Sequence, residues 1–391
     1  MTFQRLRFTW SMILLLAIAF VPMGGVRAQA QDYAVLHYFT NGADGFDVGH
    51  VLSQDSKGNI YGTTNVGGVG GTCVVVGCGT IFKVDSSGNH TVLYNFKGGT
   101  DGSHPISGVI RDQHGNLYGT TQAGGALDVG TVFKLDSAGN HTVLYSFAGG
   151  ADGSTPVGGL VRDSKGDLYG TTSAGGSGGG YGTIFQVSVG GTHTVLHNFS
   201  YSDGIGPAAT LFRDSKRNLY GTTNSGGVGG YGTVFKLDSA GNYSVLHSFT
   251  GGAGGLEPYY AGVIGDPRGN LYGTTRAGGA FNFGTVFKLD ADGNYTVLYS
   301  FTGGADGGYP MAGLVRDSTH NLYGTTQGGG TGGNCNIGCG IVFKLDSADN
   351  ETVLHNFIGG SDGVFPMGEL LRNSNGNLYG TTTTTVFRLK L

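Results

Sequence analysis

The chain has few charged residues and no cluster of basic ones. Asp, Glu, Lys and Arg make up 12% of its 391 residues, with 22 basic and 26 acidic side chains and a formal net charge of −4. Without a basic patch to attract phosphates, we expect no nucleic-acid partner.

The sequence is instead rich in residues that form turns and strands, with 79 Gly, 20 Tyr and 22 Phe. These residue types favour many short strands joined by turns. Glycine does not recur at every third position, which excludes collagen, and a hydrophobic content of 38% is enough for a packed core. We therefore predict an all-β protein.

No hydrophobic run is long enough to span a membrane. The most apolar stretch, Met12–Val21, holds about ten residues, whereas a spanning helix needs roughly 20. Arg5 and Arg7 precede this stretch and the small residues of Ala28–Ala30 follow it, which is the pattern of a secretory signal peptide. We predict a cleavable signal peptide at 1–30 and a secreted, periplasmic or cell-surface protein. A membrane anchor is the alternative.

Only four cysteines are present, in two glycine-rich loops: Cys73 with Cys78, and Cys335 with Cys339. In an exported chain such close pairs tend to oxidise, so we predict two local disulfides. A zinc site of four thiolates is the alternative, but its usual C-x-x-C spacing is missing. Free thiols are the remaining interpretation. We expect no metal and no cofactor.

A unit of roughly 50 residues repeats along the chain, and three markers recur seven times each. The first is the Tyr of an LYGTT-like segment, at Tyr61, Tyr118, Tyr169, Tyr220, Tyr272, Tyr323 and Tyr379. The second is the Phe of a GTVFKLD-like segment, at Phe82, Phe133, Phe185, Phe235, Phe287, Phe343 and Phe387. The third is the Leu of a TVLYSF-like segment, at Leu36, Leu93, Leu144, Leu196, Leu246, Leu298 and Leu354. Such a period is typical of a repeat architecture.

Each unit contains four segments with the alternating pattern of strands, which we name A to D. In the sixth unit they are Ala312–Arg316, Asn321–Thr326, Ile341–Leu345 and Thr352–Phe357. The A–B and C–D links share an Asp-x-x-Gly-Asn pattern, as in Asp112–Asn116 and Asp136–Asn140, which predicts hairpin turns. Four antiparallel strands per unit are typical of a propeller blade.

The two ends of the chain predict how the blades close. The predicted mature chain starts with a D segment, Tyr33–Phe39, and stops with a C segment, Thr385–Leu389. Joined in one sheet, they complete a seventh blade and leave no open edge, whereas an open solenoid would want polar caps. We predict one seven-bladed β-propeller over 31–391. Its predicted blades are 47–96, 105–147, 156–199, 207–249, 258–301, 310–357, and 366–391 joined by 33–39.

Segments such as 130–147 (GTVFKLDSAGNHTVLYSF) and 159–172 (GLVRDSKGDLYGTT) resemble the GloVer tandem repeat of exported bacterial proteins. The resemblance covers everything after the predicted signal peptide. It implies an exported repeat protein and supplies no reaction and no catalytic residues. The Asp-x-x-Gly-Asn-Leu-Tyr stretch is also similar to the NHL class of propeller repeats, which is an analogy of fold only.

We expect function on one face of the propeller. If A is the innermost strand, the D–A and B–C connections form one face, here called the loop face, and the short turns form the other, the hairpin face. Function favours variable loops on a rigid scaffold, and the loops vary between units while the hairpins are nearly invariant. The aromatic residues predicted to bind a ligand there are Tyr181, Tyr201, Tyr231, Tyr259, Tyr260, Phe281, Tyr309 and Phe365. Aromatic faces beside glycine N–H groups suit sugars or peptides; packing between blades is the alternative.

Several polar residues on these loops lack counterparts in most units: His50, His104, Asp128, Glu257 and Glu369. Glu369 stands where other units have Gly in strand A, so we expect it to point to the central channel. One extra residue in the fifth unit predicts a bulge beside Glu257. Glu257 and Glu369 are therefore weak candidates for an acid and base acting on a glycosidic bond, against the alternative of a solvated or ion-paired rim.

Two further sets recur, and we expect structural roles for both. An Asp before a Gly is expected to organise its own turn, and it occurs at Asp44, Asp101, Asp152, Asp203, Asp306 and Asp362. The Arg before the A-strand Asp, such as Arg213, is expected to pair with hairpin acids such as Asp136 or Asp238 of a neighbouring unit.

The preferred hypothesis from the sequence is a non-catalytic binding or scaffold protein outside the cytoplasm, with a carbohydrate or an extracellular protein as ligand. A polysaccharide hydrolase or lyase is the main rival, and a purely structural surface protein is the third. After signal cleavage we expect no transmembrane segment. The sequence predicts no particular oligomeric state.

Overall fold

The computed structural model describes residues 32–391 except Val74 and Asn334. The predicted signal peptide lies outside the described residues. The first strand is β1 (Tyr33–Tyr38). Blade 1 contains β2 (Phe46–Val48), β3 (Ser53–Gln54), β4 (Ile60–Val66), β5 (Thr80–Val84) and β6 (His90–Asn95). Blade 2 contains β7 (Val109–Arg111), β8 (Leu117–Thr121), β9 (Thr131–Leu135) and β10 (His141–Ser146). Blade 3 contains β11 (Val161–Arg162), β12 (Leu168–Thr172), β13 (Thr183–Val187) and β14 (His193–Asn198).

The remaining blades repeat this pattern. Blade 4 contains β15 (Phe212–Arg213), β16 (Leu219–Thr223), β17 (Thr233–Leu237) and β18 (Tyr243–Ser248). Blade 5 contains β19 (Ile264–Gly265), β20 (Leu271–Thr275), β21 (Thr285–Leu289) and β22 (Tyr295–Ser300). Blade 6 contains β23 (Val315–Arg316), β24 (Leu322–Thr326), β25 (Ile341–Leu345) and β26 (Glu351–Asn356). Blade 7 contains β27 (Leu371–Arg372), β28 (Leu378–Thr381) and β29 (Thr385–Leu389). Short 3-10 turns lie in four D–A connections, at Gly99–Asp101, Gly150–Asp152, Gly252–Gly254 and Gly360–Asp362.

The ring closes through the two ends of the chain. The strands form seven antiparallel sheets, and β1 pairs with β29 in the seventh, from Tyr33 opposite Leu389 to Tyr38 opposite Thr385. Phe39 then packs edge-on against Phe82 of blade 1, with ring centroids 5.1 Å apart. The seven-bladed propeller and its closure by the N-terminal strand are confirmed.

The Gly-Thr-Thr part of the repeat serves packing between strands and between blades. In blade 6, a Cβ added to Gly324 would lie 2.7 Å from Cζ of Phe343, so the glycine makes room for the ring of the C strand. The first threonine reaches the next blade, as where Thr274 donates to the carbonyl of Ala312 at 2.9 Å. The motif therefore fixes both the inside of a blade and its seam with the next.

The hairpin turns form as predicted. Oδ1 of Asp112 accepts the N–H groups of His114 and Asn116, both at 2.9 Å, while Gly115 takes a φ of 86°. Asp136 makes the same contacts in its C–D turn. The side chain thus closes the turn by accepting two backbone donors.

Strand A is shorter than predicted. In the sixth blade the ladder covers Val315–Arg316 rather than Ala312–Arg316. Before Val315 the chain leaves its own B strand, and the carbonyl of Ala312 accepts a hydrogen bond from Thr274 of the neighbouring blade.

The recurring Arg pairs with a hairpin acid of the preceding blade. Arg213 lies 3.8 Å from Asp163 in the A–B turn of the preceding blade and 5.6 Å from the ring centroid of Tyr169. The predicted pairing with a hairpin acid of a neighbouring unit is confirmed, but the acid belongs to the A–B turn and not to the C–D turn of Asp136 or Asp238, because an Arg at the end of the inner strand A reaches the A–B turn first.

The recurring Asp organises its turn, as predicted, and also joins two blades. Asp101 accepts the N–H of Lys97 at 2.8 Å and the hydroxyl of Tyr94 at 2.6 Å, and it lies 3.2 Å from Nδ1 of His141 in blade 2. The rings of Tyr94 and His141 stack with centroids 4.4 Å apart. This combination of carboxylate and stacked rings forms the outer part of the seam.

The cysteines form two local disulfides, Cys73–Cys78 and Cys335–Cys339, each with its Cα atoms 5.2 Å apart. The predicted pairing is confirmed. Each bond closes a B–C loop, in blades 1 and 6 respectively. Within the part of the chain that the structure describes, no helix is long and apolar enough to cross a membrane.

Candidate ligand-binding site on the loop face

Every D–A connection has a residue with a left-handed backbone conformation five to seven positions before strand A. It directly precedes a proline in six blades and Val48 in blade 1. We name these residues the left-handed ring: Asp47 (φ 59°), His104 (59°), Thr155 (57°), Gly206 (63°), Glu257 (55°), Tyr309 (59°) and Phe365 (53°).

Backbone hydrogen bonds to two blades hold this conformation. The N–H of Tyr309 donates to the carbonyl of Phe283 in blade 5 at 2.7 Å, and its own carbonyl accepts the N–H of Gln327 in blade 6 at 3.0 Å. Thr155 is held in the same way, by Val129 and Ser173. The fold therefore imposes the geometry regardless of the side chain.

The side chains of the left-handed ring are unexpected for such a backbone. A positive φ favours glycine, and for a β-branched or bulky residue it is a genuine outlier. Only Gly206 meets that preference, and the six other positions carry six different residue types. Strained positions of this kind concentrate at functional sites, so the ring is our starting point for the site.

A second set of side chains lies next to the left-handed ring. It consists of the residue that follows the Gly-Thr-Thr motif, which we name the polar ring: Asn65, Gln122, Ser173, Asn224, Arg276, Gln327 and Thr383. Nδ2 of Asn65 donates to Asp47 at 2.9 Å, and Arg276 donates to Glu257 at 3.1 Å. Amide, hydroxyl and guanidinium groups thus accompany the variable side chains around the mouth of the channel.

Aromatic groups from opposite blades meet over the axis. The ring of His50 in blade 1 lies 4.8 Å from that of Tyr260 in blade 5, and Tyr260 lies 4.4 Å from Tyr259. Tyr260 itself has a φ of 53°, at the extra residue that the sequence predicted as a bulge. Burial lowers the pKa of His50 although Asp47 opposes the shift, so this imidazole is neutral at pH 7.

Glu369 occupies the axial channel below these rings, as the sequence predicted. A Cβ added to Gly313 would lie 2.9 Å from its Oε1, and one added to Gly262 would lie 3.4 Å away. Burial raises the pKa of Glu369 to about 7. Val51 fills the same layer from blade 1, where its Cγ2 lies 3.2 Å from the Cβ position of Gly159.

The structure divides the predicted aromatic residues into three groups. Tyr259, Tyr260, Tyr309 and Phe365 belong to the D–A connections around the channel mouth. Tyr201, Tyr231 and Phe281 lie on the outer loop surface, with 60%, 44% and 56% of their surface exposed. Tyr181 packs against the core of the seam between blades 3 and 4, which is the alternative that the sequence left open.

The two candidate carboxylates have different surroundings. Glu257 forms an ion pair with Arg276 at 3.1 Å and is 39% exposed on the rim. Glu369 lies in the channel, and burial is the cause of its raised pKa, with no contribution from Glu257. The structure therefore gives no sign that the two act as one acid–base pair. Asp128 organises its own loop by accepting the N–H of Gly124 at 2.7 Å.

Sequence reasoning missed the left-handed ring as a set, and with it Asp47, Thr155 and Gly206, as well as the whole polar ring. One signal was present: two variable residues lie between a recurring Asp-Gly and a recurring Pro in most units, and the second of them belongs to the left-handed ring. The positive φ of this second residue could be recognised only in the structure, because the residue type does not indicate it.

A cavity also lies on the other face of the propeller. It has a volume of about 740 Å³ and is lined by turn residues of blades 3 and 4, among them Asp163, Arg213, Asp214 and Asp238. These acids accept the backbone N–H contacts that recur in most hairpins. A cavity of about 600 Å³ lies on the loop face between blades 1 and 2, beside His104 and Asp128. We favour the loop face because its side chains depart from the repeat.

Comparisons with known proteins define the class first. A solved structure of streptogramin B lyase superimposes on the chain with a TM-score of 0.59 at 13% identity, covering 92% of this chain and 98% of that one. PorZ, a surface component of the type-IX secretion system of Porphyromonas gingivalis, gives a TM-score of 0.54 at 17% identity and covers 88% of this chain but 46% of its own. At these identities the likeness shows the propeller fold alone.

The family is shown by the sequence. The model of the Gloeobacter/Verrucomicrobia repeat matches residues 25–179 and 143–337, so the chain belongs to that repeat family. None of the curated proteins matches the chain. This match confirms the predicted type of repeat.

Proposed function

We propose that the protein is an exported, non-catalytic binding module that holds a carbohydrate or a protein segment at the axial mouth of its loop face. The observation that carries the proposal is the left-handed ring. Six of its seven positions keep a side chain where the backbone favours glycine, and strained positions of this kind concentrate at functional sites.

The chemistry of the mouth suits a ligand with both apolar and hydrogen-bonding surfaces. Tyr309 and Phe365 supply aromatic faces from two neighbouring blades, while the polar ring supplies donors and acceptors around them. Arg276 lies 5.9 Å above the ring of Tyr309, so the aromatic and charged groups are adjacent. Sites for small ligands combine these two kinds of group.

An extracytoplasmic location supports this function. Disulfides persist in oxidising compartments, and both cysteine pairs are bonded. The predicted signal peptide is consistent with export and is part of the proposal.

A polysaccharide hydrolase or lyase is the second candidate, and one observation favours it: the raised pKa of Glu369 would let it donate a proton near pH 7. Its predicted partner Glu257 is held by Arg276. A binding role requires no such partner, so we prefer it.

Glycine substitution tests the proposal without threatening the fold. The protein and its Tyr309→Gly and Phe365→Gly variants are applied to arrays of glycans and peptides. We expect wild-type binding that both variants lose, while circular dichroism and thermal unfolding show an intact fold. Gly206 already shows that the backbone accepts glycine. If the wild type binds nothing on either array, or both variants keep every ligand, the axial binding function is wrong.

A further inference from the structure

Four basic side chains lie on three successive A–B turns of the hairpin face, although the sequence has no run of basic residues. Blade 3 contributes one, blade 4 two and blade 5 one. We name them the turn cations: Lys165, Lys216, Arg217 and Arg268. All four are exposed. The A–B turns of the other four blades carry one lysine or arginine between them, Lys57 of blade 1. The positive charge of these turns is therefore concentrated on blades 3 to 5.

Two cavities lie beside the turn cations. The cavity of about 740 Å³ between blades 3 and 4 is lined by Lys165, Lys216 and Arg217. A cavity of about 560 Å³ between blades 4 and 5 is lined by Lys216 and Arg268. Residues 213–216 border both, so the cavities adjoin across one turn, and we name the pair the hairpin groove. Sites for small ligands have volumes in this range.

Three departures from the repeat accompany the first cavity, all in blade 3. Gln186 stands where the C strands of five other blades have lysine, and Asp167 stands where the A–B turns of six others end in asparagine. The C–D link, 188–192 (SVGGT), lacks the Asp-x-x-Gly-Asn pattern. Asp167 accepts Nε2 of Gln186 at 3.0 Å and the N–H of Val189 at 3.2 Å. These changes act together, because each removes or engages a charged group in the cavity wall.

A missing arginine accompanies the second cavity. Five blades have an arginine directly before the A–B turn, and in four of them its guanidinium carbon lies 5.4–5.6 Å from the ring centroid of the repeat tyrosine in the preceding blade. Blade 5 has Gly265 instead, so Tyr220 lacks this cover, and Lys236 lies 6.0 Å from its ring centroid. Phe212 lines the cavity beside Tyr220, with ring centroids 5.9 Å apart. The departure places aromatic and basic groups side by side.

The acids of the hairpin groove are engaged within the fold, whereas the turn cations are not. Oδ2 of Asp214 accepts Nδ2 of Asn218 at 2.8 Å and the hydroxyl of Tyr220 at 3.2 Å. The remaining acids that line the groove also accept donors from the fold: Asp163, Asp167, Asp238 and Asp266. In the described part of the chain, the side chains of the turn cations make no hydrogen bond and no ion pair, and Lys165 and Arg268 bond through their backbone N–H. The charge available to a ligand is therefore positive.

The backbone of Arg217 supplies a second, independent observation. Its φ is 71°, in the region that favours glycine, and five other blades have glycine at this position: Gly58, Gly115, Gly166, Gly269 and Gly376. The N–H of Arg217 donates to the carbonyl of Asp214 at 3.0 Å, as that of Gly115 does to Asp112 at 3.1 Å. The turn therefore forms without an arginine, and strained positions of this kind concentrate at functional sites.

We propose that the hairpin groove binds an acidic saccharide, whose carboxylate or sulfate groups pair with the turn cations. Hydrogen bonds from lysine and arginine to such anions are charge-assisted and strong. Phe212 and Tyr220 supply apolar faces for sugar rings, and serine hydroxyls border the groove at Ser164, Ser215 and Ser239. Two adjoining cavities suit a ligand of several sugar units. This site lies on the face opposite the axial mouth and does not depend on the function proposed there.

Fluorescence anisotropy of the full-length protein with three labelled hexamers tests the site. They are galacturonic acid, its methyl ester, which keeps the rings and removes the charge, and a sulfated galactose hexamer. We expect at least one acidic hexamer to bind about tenfold or more tightly than the methyl ester, because the turn cations pair only with charged groups. Its affinity should fall as NaCl rises from about 50 mM to about 500 mM, because salt screens exposed charges. The two acidic hexamers distinguish carboxylate from sulfate.

Variants in the blade 4 turn separate binding from folding. Arg217→Gly restores the residue of five other blades, so it should raise the melting temperature and weaken binding by about threefold, the scale of one exposed ion pair. Lys216→Ser/Arg217→Gly should weaken binding by about tenfold. Lys57→Ser removes the exposed lysine of the blade 1 turn, which lines neither cavity of the groove, and should leave the affinity unchanged.

Four results would overturn the inference. They are no binding of either acidic hexamer, equal binding of the methyl ester, wild-type affinity in Lys216→Ser/Arg217→Gly, or binding of hexaglutamate or a DNA hexanucleotide as tight as that of the better saccharide. The last result would make the groove a general anion site. None of them bears on the loop face, whose ligand is tested by Tyr309→Gly.

Discussion

At the scale of the residue, the backbone of the left-handed ring favours glycine, whereas the proposed binding function requires larger side chains at the same positions. Six of its seven positions carry side chains at φ values between 53° and 59°, each of which costs on the order of 1 kcal/mol. The cost is unnecessary for folding, because Gly206 performs the same backbone role.

Thr155→Gly tests whether this strain is real. We expect the free energy of unfolding to rise by up to about 1 kcal/mol, because a β-branched residue leaves a left-handed conformation. Urea unfolding measures it. The matched control is Gly206→Thr, which introduces the strain at a position where an added Cβ has no contact closer than 3.9 Å, and which should lower stability. A destabilised Thr155→Gly variant would contradict the assigned strain.

Gly324→Ala tests the close approach inside a blade. The new Cβ would lie 2.7 Å from Phe343 and 2.9 Å from Leu314, so we expect a loss of about 1–3 kcal/mol from overpacking. Gly254→Ala is the control, since an added Cβ there meets nothing within 4 Å. Denaturation midpoints of the two variants should differ; equal midpoints would refute the packing role of the glycine.

At the scale of the element, the seams between blades are unequal. Six seams carry a stacked aromatic pair from neighbouring D strands. Between blades 5 and 6, Glu351 takes the place of the second ring, beside Tyr299 and Asp306. Burial and the charge of Asp306 raise the pKa of Glu351 to about 7, and its Oε1 is buried without a described hydrogen-bond partner.

Because of Glu351, we expect the free energy of unfolding to decrease as the pH rises toward neutral. Because the pKa of Glu351 in the folded protein lies above its ordinary value of 4.5, its contribution to stability is complete below about pH 4.5 and is lost as the pH rises through about 7. Melting temperatures of the wild type and Glu351→Gln at pH 5 and pH 7.5 measure the effect, and the variant should lose less. Glu351→Tyr should raise the melting temperature at pH 7.5 by restoring the stack.

The seam that contains His90 is the control, because its stability should change with pH in the opposite direction. Burial lowers the pKa of His90 to about 4 from 6.5, so its contribution to stability is present above pH 6.5 and is lost as the pH falls toward 4. His90→Tyr should therefore flatten the acid side of the stability profile. If Glu351→Gln loses as much stability as the wild type between pH 5 and pH 7.5, the assignment to Glu351 is wrong.

At the scale of the whole molecule, the closed ring depends on one pair of strands far apart in sequence. Ala34 lies opposite Arg388 in this pair, and Thr142 lies opposite Lys134 at the same place in blade 2. The two pairs have the same local geometry and differ in the length of chain between them.

A pair of engineered disulfides compares these two positions. Ala34→Cys/Arg388→Cys should form a bond that stabilises the protein by about 3 kcal/mol more than Thr142→Cys/Lys134→Cys, because it closes a much longer loop. Unfolding in urea with and without oxidation gives the difference. Failure of the first pair to oxidise while the second does would contradict closure through β1 and β29.

The fold could be predicted from the sequence because its repeated residues report directly on packing. The tyrosine and phenylalanine markers count the blades, and the split D and C segments show the closure. The hairpin acid that pairs with Arg213 could be predicted only as a kind, since its identity depends on which turn of the neighbouring blade comes within reach. The left-handed ring was missed for a related reason: its residue types vary, and φ is set by hydrogen bonds to two blades rather than by the residue itself.

The candidate site was predicted in part for the same reasons. Glu369 was placed in the channel from a single departure among glycines. Tyr201 and Phe281 could not be separated from Tyr309 and Phe365, because distance from the axis depends on loop geometry that residue types do not encode.

The central claim is that the ligand binds at the channel mouth. The most direct test compares residues of the left-handed ring with aromatic residues of the outer loops in one binding experiment. For any ligand that the arrays identify, calorimetry is run on the wild type, on Tyr309→Gly/Phe365→Gly at the channel mouth, and on Tyr201→Ala/Phe281→Ala on the outer loops. The account predicts that the first double variant loses the ligand and the second keeps it within about twofold. Loss in the outer variant with unchanged affinity in the ring variant would contradict it.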